Sequence, residues 1–242
     1  MERRALGEGR RAMEGPEIRT ALPGPKAREY LEWSRQFEPR SMSEQVPLVW
    51  ARARGCIIED VDGNRFLDFT SGVLVTNVGH CHPEYVAAVK EQAERLYNCY
   101  DFVTPQRAAL AKKLVELTPP HLTKAFILTT GSEAVEAAIK MARRFTGRYE
   151  IIAFHGAFHG RTYMAMSVGG KAGVKRGFGP LVPGVLHAPF CYCYRCPFGR
   201  EVSTCNLFCL DYLDYLLETE STGSVAAVIT ETYQGAAGSI VP

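Results

Sequence analysis

A change of hydrophobic period around Gly131 constrains the fold of this chain more than any other feature. Residues 124–128 form a short apolar run that contains an aromatic side chain, which is typical of a strand. After Gly131, apolar residues recur at spacings of three and four, which marks one face of an amphipathic helix. These residues are Val135, Ala138, Ile139, Ala142 and Phe145. The sequence therefore predicts a strand over 124–129 and a helix over 133–145.

The residues that open this helix also suit an anion. Thr130 and Glu133 have the spacing of a capping box, and Ser132 is an alternative cap. A helix that begins here presents free backbone N–H groups and the positive end of its dipole, which favour an anion and most often a phosphate. Most junctions of this kind are ordinary caps, so the segment alone leaves both interpretations open.

Strand and helix patterns alternate through most of the chain. Strand-like runs at 150–154, 185–188 and 225–229 are separated by helical patterns, and two further helices are predicted at 83–96 and 106–117. This alternation predicts an α/β domain with a mainly parallel sheet. Earlier in the chain, strand-like runs at 56–59 and 65–69 flank a turn that contains Gly63, which predicts an antiparallel hairpin.

Three segments with chemically distinctive residues follow strand-like runs, where ligands bind in parallel α/β sheets. The first is 129–133, and the second, 154–162, places Phe158 and His159 between glycines. An aromatic at a strand end suits a flat ligand; the alternative is that Phe158 packs on a helix and His159 is a structural hydrogen-bonding group. In the third segment Glu231 follows an apolar strand, and a surface-loop glutamate is the alternative.

Composition and charge exclude several classes of function. The net charge of +2 offers no electrostatic basis for binding nucleic acid or an anionic membrane. No segment approaches the roughly 18 apolar residues of a transmembrane helix. The N-terminus lacks a secretory signal, so a cytoplasmic location is expected. A dinucleotide-binding protein is disfavoured because no G-x-G-x-x-G motif follows a first strand.

Five of the eight cysteines cluster between residues 191 and 209. Cys193 and Cys196, followed by Cys205 and Cys209, have spacings compatible with a tetrahedral zinc site. A thiol-rich surface loop, a local disulfide and buried packing compete with that interpretation. We therefore assign no metal ligand from the sequence.

Together these segments describe a phosphate cradle, a flat side chain to stack on a ring and a polar group for a substrate. At this point the chain resembles the N-terminal half of a class III aminotransferase of the ornithine and 4-aminobutyrate type, a pyridoxal-phosphate enzyme. The resemblance covers residues 16–242. Its motifs lie at residues 22–26, 59–69, 79–83, 131–138, 156–162 and 176–180, and the 193–199 loop occurs in a prokaryotic branch of the class.

The resemblance implies roles for seven residues and a cofactor, pyridoxal 5'-phosphate. Gly131 and Ser132 would bind the cofactor phosphate, Phe158 would stack on its ring, and His159 would lie nearby. Glu231, Val73 and Leu74 would border the substrate. Thr232 and the pair 236–237 depart from the family pattern, which weakens the assignment of the substrate residues and leaves that of the cofactor residues unaffected.

The fold implied is the large domain of the aspartate-aminotransferase-like pyridoxal-phosphate transferases, with helices on both faces of the sheet, truncated, and preceded by a segment with a β-hairpin. We expect a disordered extension over 1–25, part of a small domain over 26–75 and an incomplete cofactor-binding domain over 76–242. In the family the lysine that forms the Schiff base lies beyond the Glu231 segment, so we assign no catalytic residue and expect a fragment.

The function implied is transfer of an amino group from an amino acid or ω-amine to a 2-oxo acid, by a protein that is a homodimer when complete and inactive in this truncated form. Two alternatives stay open at this stage. An amino-acid racemase would share the fold and cofactor, because some racemases also contain the 193–199 loop. A non-catalytic fragment with zinc at the cysteine cluster would share only part of the fold.

Overall fold

An antiparallel three-stranded sheet forms around the predicted hairpin. The structure, a computed structural model, describes residues 15–42 and 46–242. Strands β1 (Trp50–Arg54), β2 (Ile57–Asp60) and β3 (Arg65–Leu67) pair in that order. Gly63 adopts a φ of 85° in the turn between β2 and β3, a conformation that a residue without Cβ reaches at little cost. The hairpin predicted from the sequence is confirmed.

Buried polar side chains of this turn hold the segment that precedes it. Asn64 is buried, and its Oδ1 accepts hydrogen bonds from the backbone N–H groups of Arg19 and Thr20 at 2.7 and 2.9 Å. Glu17 forms a backbone bridge with Arg65. Most of the predicted extension, residues 1–14, lies outside the described residues, but residues 17–20 pair with the hairpin instead of extending away from it.

Helix α1 (Pro25–Phe37) begins on the same turn. The carboxylate of Asp62 accepts hydrogen bonds from the N–H groups of Lys26 and Ala27 at 3.0 and 2.9 Å. These bonds satisfy donors that a helix leaves free in its first turn. Ala27 and Leu31 form the buried side of α1. A short helical turn, α2 (Ser71–Leu74), and helix α3 (Pro83–Arg95) complete the first of two compact units, which ends at Thr104.

The second unit, from Pro105 to Pro242, contains a parallel sheet. Its strands are β4 (Glu150–Phe154), β5 (Val185–Ala188) and β6 (Val225–Val228), in the order β5-β4-β6. Its helices are α4 (Pro105–Leu117), α5 (Gly131–Thr146), α6 (Tyr163–Val168), α7 (Ala172–Lys175) and α8 (Phe208–Glu220). The predicted α/β class with a parallel sheet and an antiparallel hairpin is therefore confirmed.

The core of the second unit lies between β4 and helices α5 and α6. Its buried members are Ile139, Ile151, Ala153, Met164 and Val168. Ile151 on the central strand is fully buried, and burying such a side chain contributes about 1.5–3 kcal/mol. The carboxyl end of β4 is consequently fixed at the centre of the sheet. Among the described helices, none combines the length and apolar character that crossing a membrane requires.

One prediction for this unit is wrong. Residues 124–129 run without secondary structure, because no other described backbone segment pairs with 124–128 and a strand needs such a neighbour. The amphipathic helix predicted over 133–145 is confirmed as α5, and on its apolar face Ile139 is buried, whereas Ala138 and Phe145 are exposed. Helix α6 has no counterpart among the helices predicted from the sequence.

Candidate active site

The loops after β4 and β6 and the start of α5 converge at one end of the parallel sheet. The backbone N–H of Arg161, in the loop after β4, donates to Oγ of Ser132 at 3.1 Å. The backbone N–H of Phe158, in the same loop, donates to Oε1 of Glu231 at 2.9 Å. The three segments that the sequence predicted at strand ends are therefore joined by direct hydrogen bonds.

The first turn of α5 leaves two backbone donors free. Thr130 caps the helix, since its Oγ1 accepts from the N–H of Glu133 at 3.1 Å. The bond from the Glu133 N–H to Thr130 Oγ1 belongs to the predicted capping box, and the Glu133 carboxylate also accepts from the N–H of Thr129 at 3.1 Å. Among the described residues, no acceptor bonds the N–H groups of Gly131 and Ser132. Free donors at a helix start form an anion-binding surface.

Hydrogen bonds from Thr129 hold the Glu133 carboxylate in place beside these donors and favour its ionised form. The hydroxyl of Thr129 donates to the Glu133 carboxylate, and this bond, followed by that of the Thr129 N–H, lowers the pKa of Glu133. The Glu133 carboxylate points back from the first turn and accepts from the N–H and the hydroxyl of Thr129. It therefore leaves the N–H groups of Gly131 and Ser132 to another acceptor.

Gly160 allows the loop after β4 to approach α5 closely. Its φ is 137°, and a Cβ added there would lie 2.4 Å from Oγ of Ser132 and 2.9 Å from Cβ of Ala165. No larger residue fits without displacing the helix start or α6. Gly160 thus lets the loop after β4, called the aromatic loop below because it contains Phe158, lie close to the free N–H groups of Gly131 and Ser132.

Phe158 and His159 lie in that loop with different surroundings. Phe158 is 38% exposed, although it follows a fully buried part of the sheet. The Nε2 atom of His159 is buried and has no hydrogen-bond partner among the described residues. Burial lowers the pKa of His159, and the nearby Glu231 carboxylate opposes that shift. An unpartnered buried ring nitrogen is rare in folded proteins, and it singles out His159 in this loop.

Glu231 bonds backbone donors on both sides of the site. Besides Phe158, the N–H of Gly235 donates to its Oε2 at 3.2 Å. The sequence identified Glu231 only as a polar group near a substrate. The contacts show that its carboxylate joins the loop after β6 to the aromatic loop.

Two residues that support the site were not identified from the sequence. Gln234 is buried, and its Nε2 donates to the carbonyl oxygen of His155 at 2.8 Å. Glu136 on α5 accepts from the N–H groups of Met164 and Ala165 at 3.0 and 3.2 Å, so it caps α6. The Gln-Gly pair at 234–235, directly before the pair 236–237 that departs from the family pattern, is the sequence signal that could have drawn attention to Gln234.

Val73 and Leu74, which the resemblance places at the border of the substrate, lie in α2 of the first unit. They are 70% and 67% exposed and have φ values of 62° and 67°. Positive φ at a β-branched residue is a rare and strained conformation that concentrates at functional sites. The Asp68 carboxylate holds this turn, because it accepts from the N–H groups of Thr70 and Gly72, each at 2.8 Å.

The lysines that follow the aromatic loop are engaged in other contacts. Lys171 donates to the carbonyl oxygen of Ala236, and Lys175 donates to that of Ser167 at 3.1 Å. Burial lowers the pKa of Lys175. Both amines therefore have acceptors within the chain itself.

The cysteine cluster lies apart from these residues, between β5 and α8. Among the described residues, no group of three His, Cys, Asp or Glu side chains is arranged to hold a metal ion. The eight cysteines are free thiols.

Comparison with known proteins places the chain in a family. A model described as Aminotransferase class-III matches residues 40–242. The chain is 38% identical over 214 residues to a probable 4-aminobutyrate aminotransferase of Bacillus subtilis, a match that covers 86% of this chain and 49% of the relative. It is also 38% identical over 240 residues to an alanine/serine racemase of Pyrococcus horikoshii, covering 95% of this chain and 51% of the relative. The chain spans about half the length of these curated relatives.

A solved structure supports the fold. The taurine:2-oxoglutarate aminotransferase from Bifidobacterium kashiwanohense, solved in complex with PLP and glutamate, aligns with a TM-score of 0.81 and 30% sequence identity. The alignment covers 93% of this chain and 51% of that one. Sequence family, relatives and fold agree with the resemblance seen in the motifs, and the chain belongs to the class-III aminotransferase family.

Proposed function

We propose that these residues form the cofactor-holding half of an aminotransferase that moves an amino group from an amino acid or ω-amine to a 2-oxo acid. The observation that supports this most directly is the bond between the Arg161 N–H and Ser132, which places the aromatic loop against the free donors of α5. Family membership implies pyridoxal 5'-phosphate as the cofactor. The phosphate of this cofactor needs N–H donors such as those at the start of α5, and its flat ring needs an aromatic side chain such as Phe158.

The start of α5 suits the phosphate. The N–H groups of Gly131 and Ser132 are free, and the helix dipole favours a negative charge there. Because the Arg161 N–H already donates to Oγ of Ser132, the hydroxyl proton of Ser132 is available to donate outward. We propose Gly131 and Ser132 as the phosphate ligands.

The aromatic loop suits the ring. Phe158 presents a half-exposed face at the strand end, and we propose that His159, whose buried Nε2 has no partner among the described residues, lies near the ring. When bound, the cofactor supplies an electron-withdrawing pyridine ring that stabilises negative charge at the substrate carbon. The chain's own contribution at this position is to cover the ring, exclude water from one face and orient it.

Glu231 has a positioning role in this proposal. Its two carboxylate oxygens accept from Phe158 and Gly235, so the charge holds the aromatic loop at a fixed distance from the loop after β6. We retain the prediction that Glu231 lies next to the substrate. Val73 and Leu74 remain proposed as a border of the substrate pocket, supported by their exposure and their strained turn.

A racemase is the second candidate, because the alanine/serine racemase of Pyrococcus horikoshii matches 95% of this chain. The full-length protein, loaded with cofactor, is incubated with an L-amino acid with and without 2-oxoglutarate. An aminotransferase forms glutamate and keeps the remaining donor in the L form. Loss of chirality without an oxo acid, combined with no glutamate when it is present, would overturn the aminotransferase proposal.

The predicted homodimer and cytoplasmic location belong to the same proposal. Support for a subunit interface comes from α3 and α4, which have no buried residue and expose apolar side chains such as Tyr85, Val89 and Leu110. Sedimentation of the full-length protein tests this expectation. A monomer at micromolar concentration would contradict it.

A further inference from the structure

Five thiols line a single small pocket between β5 and α8. They are Cys191, Cys193, Cys196, Cys205 and Cys209. Phe190, Tyr192 and Phe198 form part of the same wall. None of these side chains is among the residues proposed to hold the cofactor or the substrate, so the pocket is considered separately.

Cys191 and Cys209 are in direct contact across this pocket. Their Sγ atoms lie 3.0 Å apart, and both residues are half-buried. Cys191 follows β5, whereas Cys209 lies in the first turn of α8, 18 residues later. No other two cysteine sulfurs among the described residues make such a contact, which distinguishes this pair within the cluster.

The contact favours a thiol pair over two ligands of one metal ion. A tetrahedral thiolate site with Zn–S bonds of about 2.3 Å keeps its sulfurs about 3.8 Å apart. The observed separation is shorter than that, and no described group of three potential ligands is arranged around a metal position. A disulfide, in contrast, needs the two sulfurs to move together by only about 1 Å.

We propose that Cys191 and Cys209 are a redox-active thiol pair that closes to an intrachain disulfide when it meets a small-molecule disulfide. The thiolate of one cysteine attacks the small disulfide and expels one small thiolate, which leaves a mixed disulfide on the protein. The second cysteine, once deprotonated, attacks that protein sulfur and expels the other small thiolate. Two electrons pass to the small disulfide, and the two protons end on the released thiols.

The surroundings of Cys191 suggest the order of the two attacks. Burial, the hydrogen bond with Cys209 and the nearby thiolate charges raise the pKa of Cys191 to about 11. Because the thiolate is the attacking species, a cysteine that holds its proton acts late. Cys191 is therefore expected to resolve the mixed disulfide and not to make the first attack. The resulting bond ties the end of β5 to the start of α8.

The test equilibrates the protein with a buffer of reduced and oxidised glutathione. Remaining thiols are then alkylated, and the protein is digested without reduction and analysed by mass spectrometry. We expect a peptide that joins Cys191 to Cys209, with two fewer free thiols per chain. Cys191→Ser and Cys209→Ser should each abolish that product and leave the other thiols of the cluster free, whereas Cys196→Ser, in the same pocket, should retain it.

Wild-type mapping decides the proposal even if a variant fails to fold. A linkage between two other members of the cluster would overturn it, as would eight thiols that stay reduced when the buffer oxidises accessible pairs in a reference protein. Zinc bound at one ion per reduced chain, with Cys191 and Cys209 protected from alkylation until a chelator is added, would also overturn it.

Discussion

At the scale of single residues, Glu231 both holds the loops of the site together and affects the pKa of His159. One carboxylate bonds the N–H groups of Phe158 and Gly235 and also opposes the burial that lowers the pKa of His159. A single side chain thus positions the aromatic loop and influences the charge of its histidine. Both effects can be measured separately.

Replacing Glu231 with Gln should lower the pKa of His159 further. Burial alone favours the neutral imidazole, and the substitution removes the negative charge that opposes burial. A titration of His159 followed by NMR measures the shift. Glu201→Gln, at an exposed glutamate in the loop before α8, should leave the His159 titration unchanged. An unchanged or raised pKa in Glu231→Gln would contradict the proposed contact.

Gly160→Ala should weaken both the fold and the site. The new Cβ would lie 2.4 Å from Oγ of Ser132, and a φ of 137° is unfavourable for alanine. A backbone strain of this kind costs about 1–3 kcal/mol, which chemical denaturation can measure. Gly173→Ala, where no atom lies within 4 Å of the added Cβ, is the matched control. Equal stability of the two variants would contradict the close approach of loop and helix.

At the scale of secondary-structure elements, α6 depends on an acceptor from a different helix. Glu136 on α5 accepts from the N–H groups of Met164 and Ala165 and from the hydroxyl of Thr162. Glu136→Ala should therefore speed hydrogen exchange of the Met164 and Ala165 amides and cost about 1–3 kcal/mol. Glu218→Ala, at an exposed position of α8, should change neither. Unaltered protection of both amides would show that α6 does not need this cap.

The turn Ser71–Leu74 depends on Asp68 in a similar way. Hydrogen bonds from Thr70 and His80 hold the pKa of Asp68 well below its usual range, so the folded state prefers the ionised carboxylate. Its stabilisation is present above the unfolded pKa, about 3.9, and is lost as pH falls toward the lower folded value.

Asp68→Asn should therefore lower the Tm at neutral pH, and its difference from wild type should shrink as pH falls below about 4. Thermal denaturation across a pH series measures this difference. Asp214→Asn, at an exposed position of α8, provides the control. A difference that grows on acidification would contradict the ionised state of Asp68.

The local sequence pattern predicted the elements whose pairing partners are close in sequence or whose apolar residues recur at a regular spacing. The hairpin of β2 and β3, helices α3, α4 and α5, and strands β4 and β5 all follow from period and turn chemistry. The predicted strand at 124–129 did not form, because a strand needs a distant partner that its own residues do not specify. Helix α6 escaped prediction for a related reason, since its cap comes from Glu136, 28 residues before Met164.

The candidate site was predictable to a similar extent. The rule that ligands bind at strand ends brought Ser132, Phe158 and Glu231 into one hypothesis, and the structure joins their segments by hydrogen bonds. The role of Gln234 could not be read from the sequence, because its partner is the backbone of His155 on another strand's loop. Supporting contacts of this kind arise only once the sheet has formed.

At the scale of the whole molecule, we propose that the second unit holds a phosphorylated pyridine between α5 and the aromatic loop. Calorimetric titration with pyridoxamine 5'-phosphate tests it, because this ligand has no aldehyde and cannot condense with lysines. Wild type should bind one equivalent, Ser132→Ala at least tenfold more weakly, and the exposed-site control Ser203→Ala normally. A tenfold loss corresponds to about 1.4 kcal/mol, within reach of one charge-assisted hydrogen bond.

Pyridoxamine without its phosphate supplies the decisive comparison in the same titration. We expect that it does not bind measurably at concentrations that saturate the phosphorylated ligand. Equal binding of the two ligands, or equal binding by wild type and Ser132→Ala, would contradict the phosphate site at the start of α5.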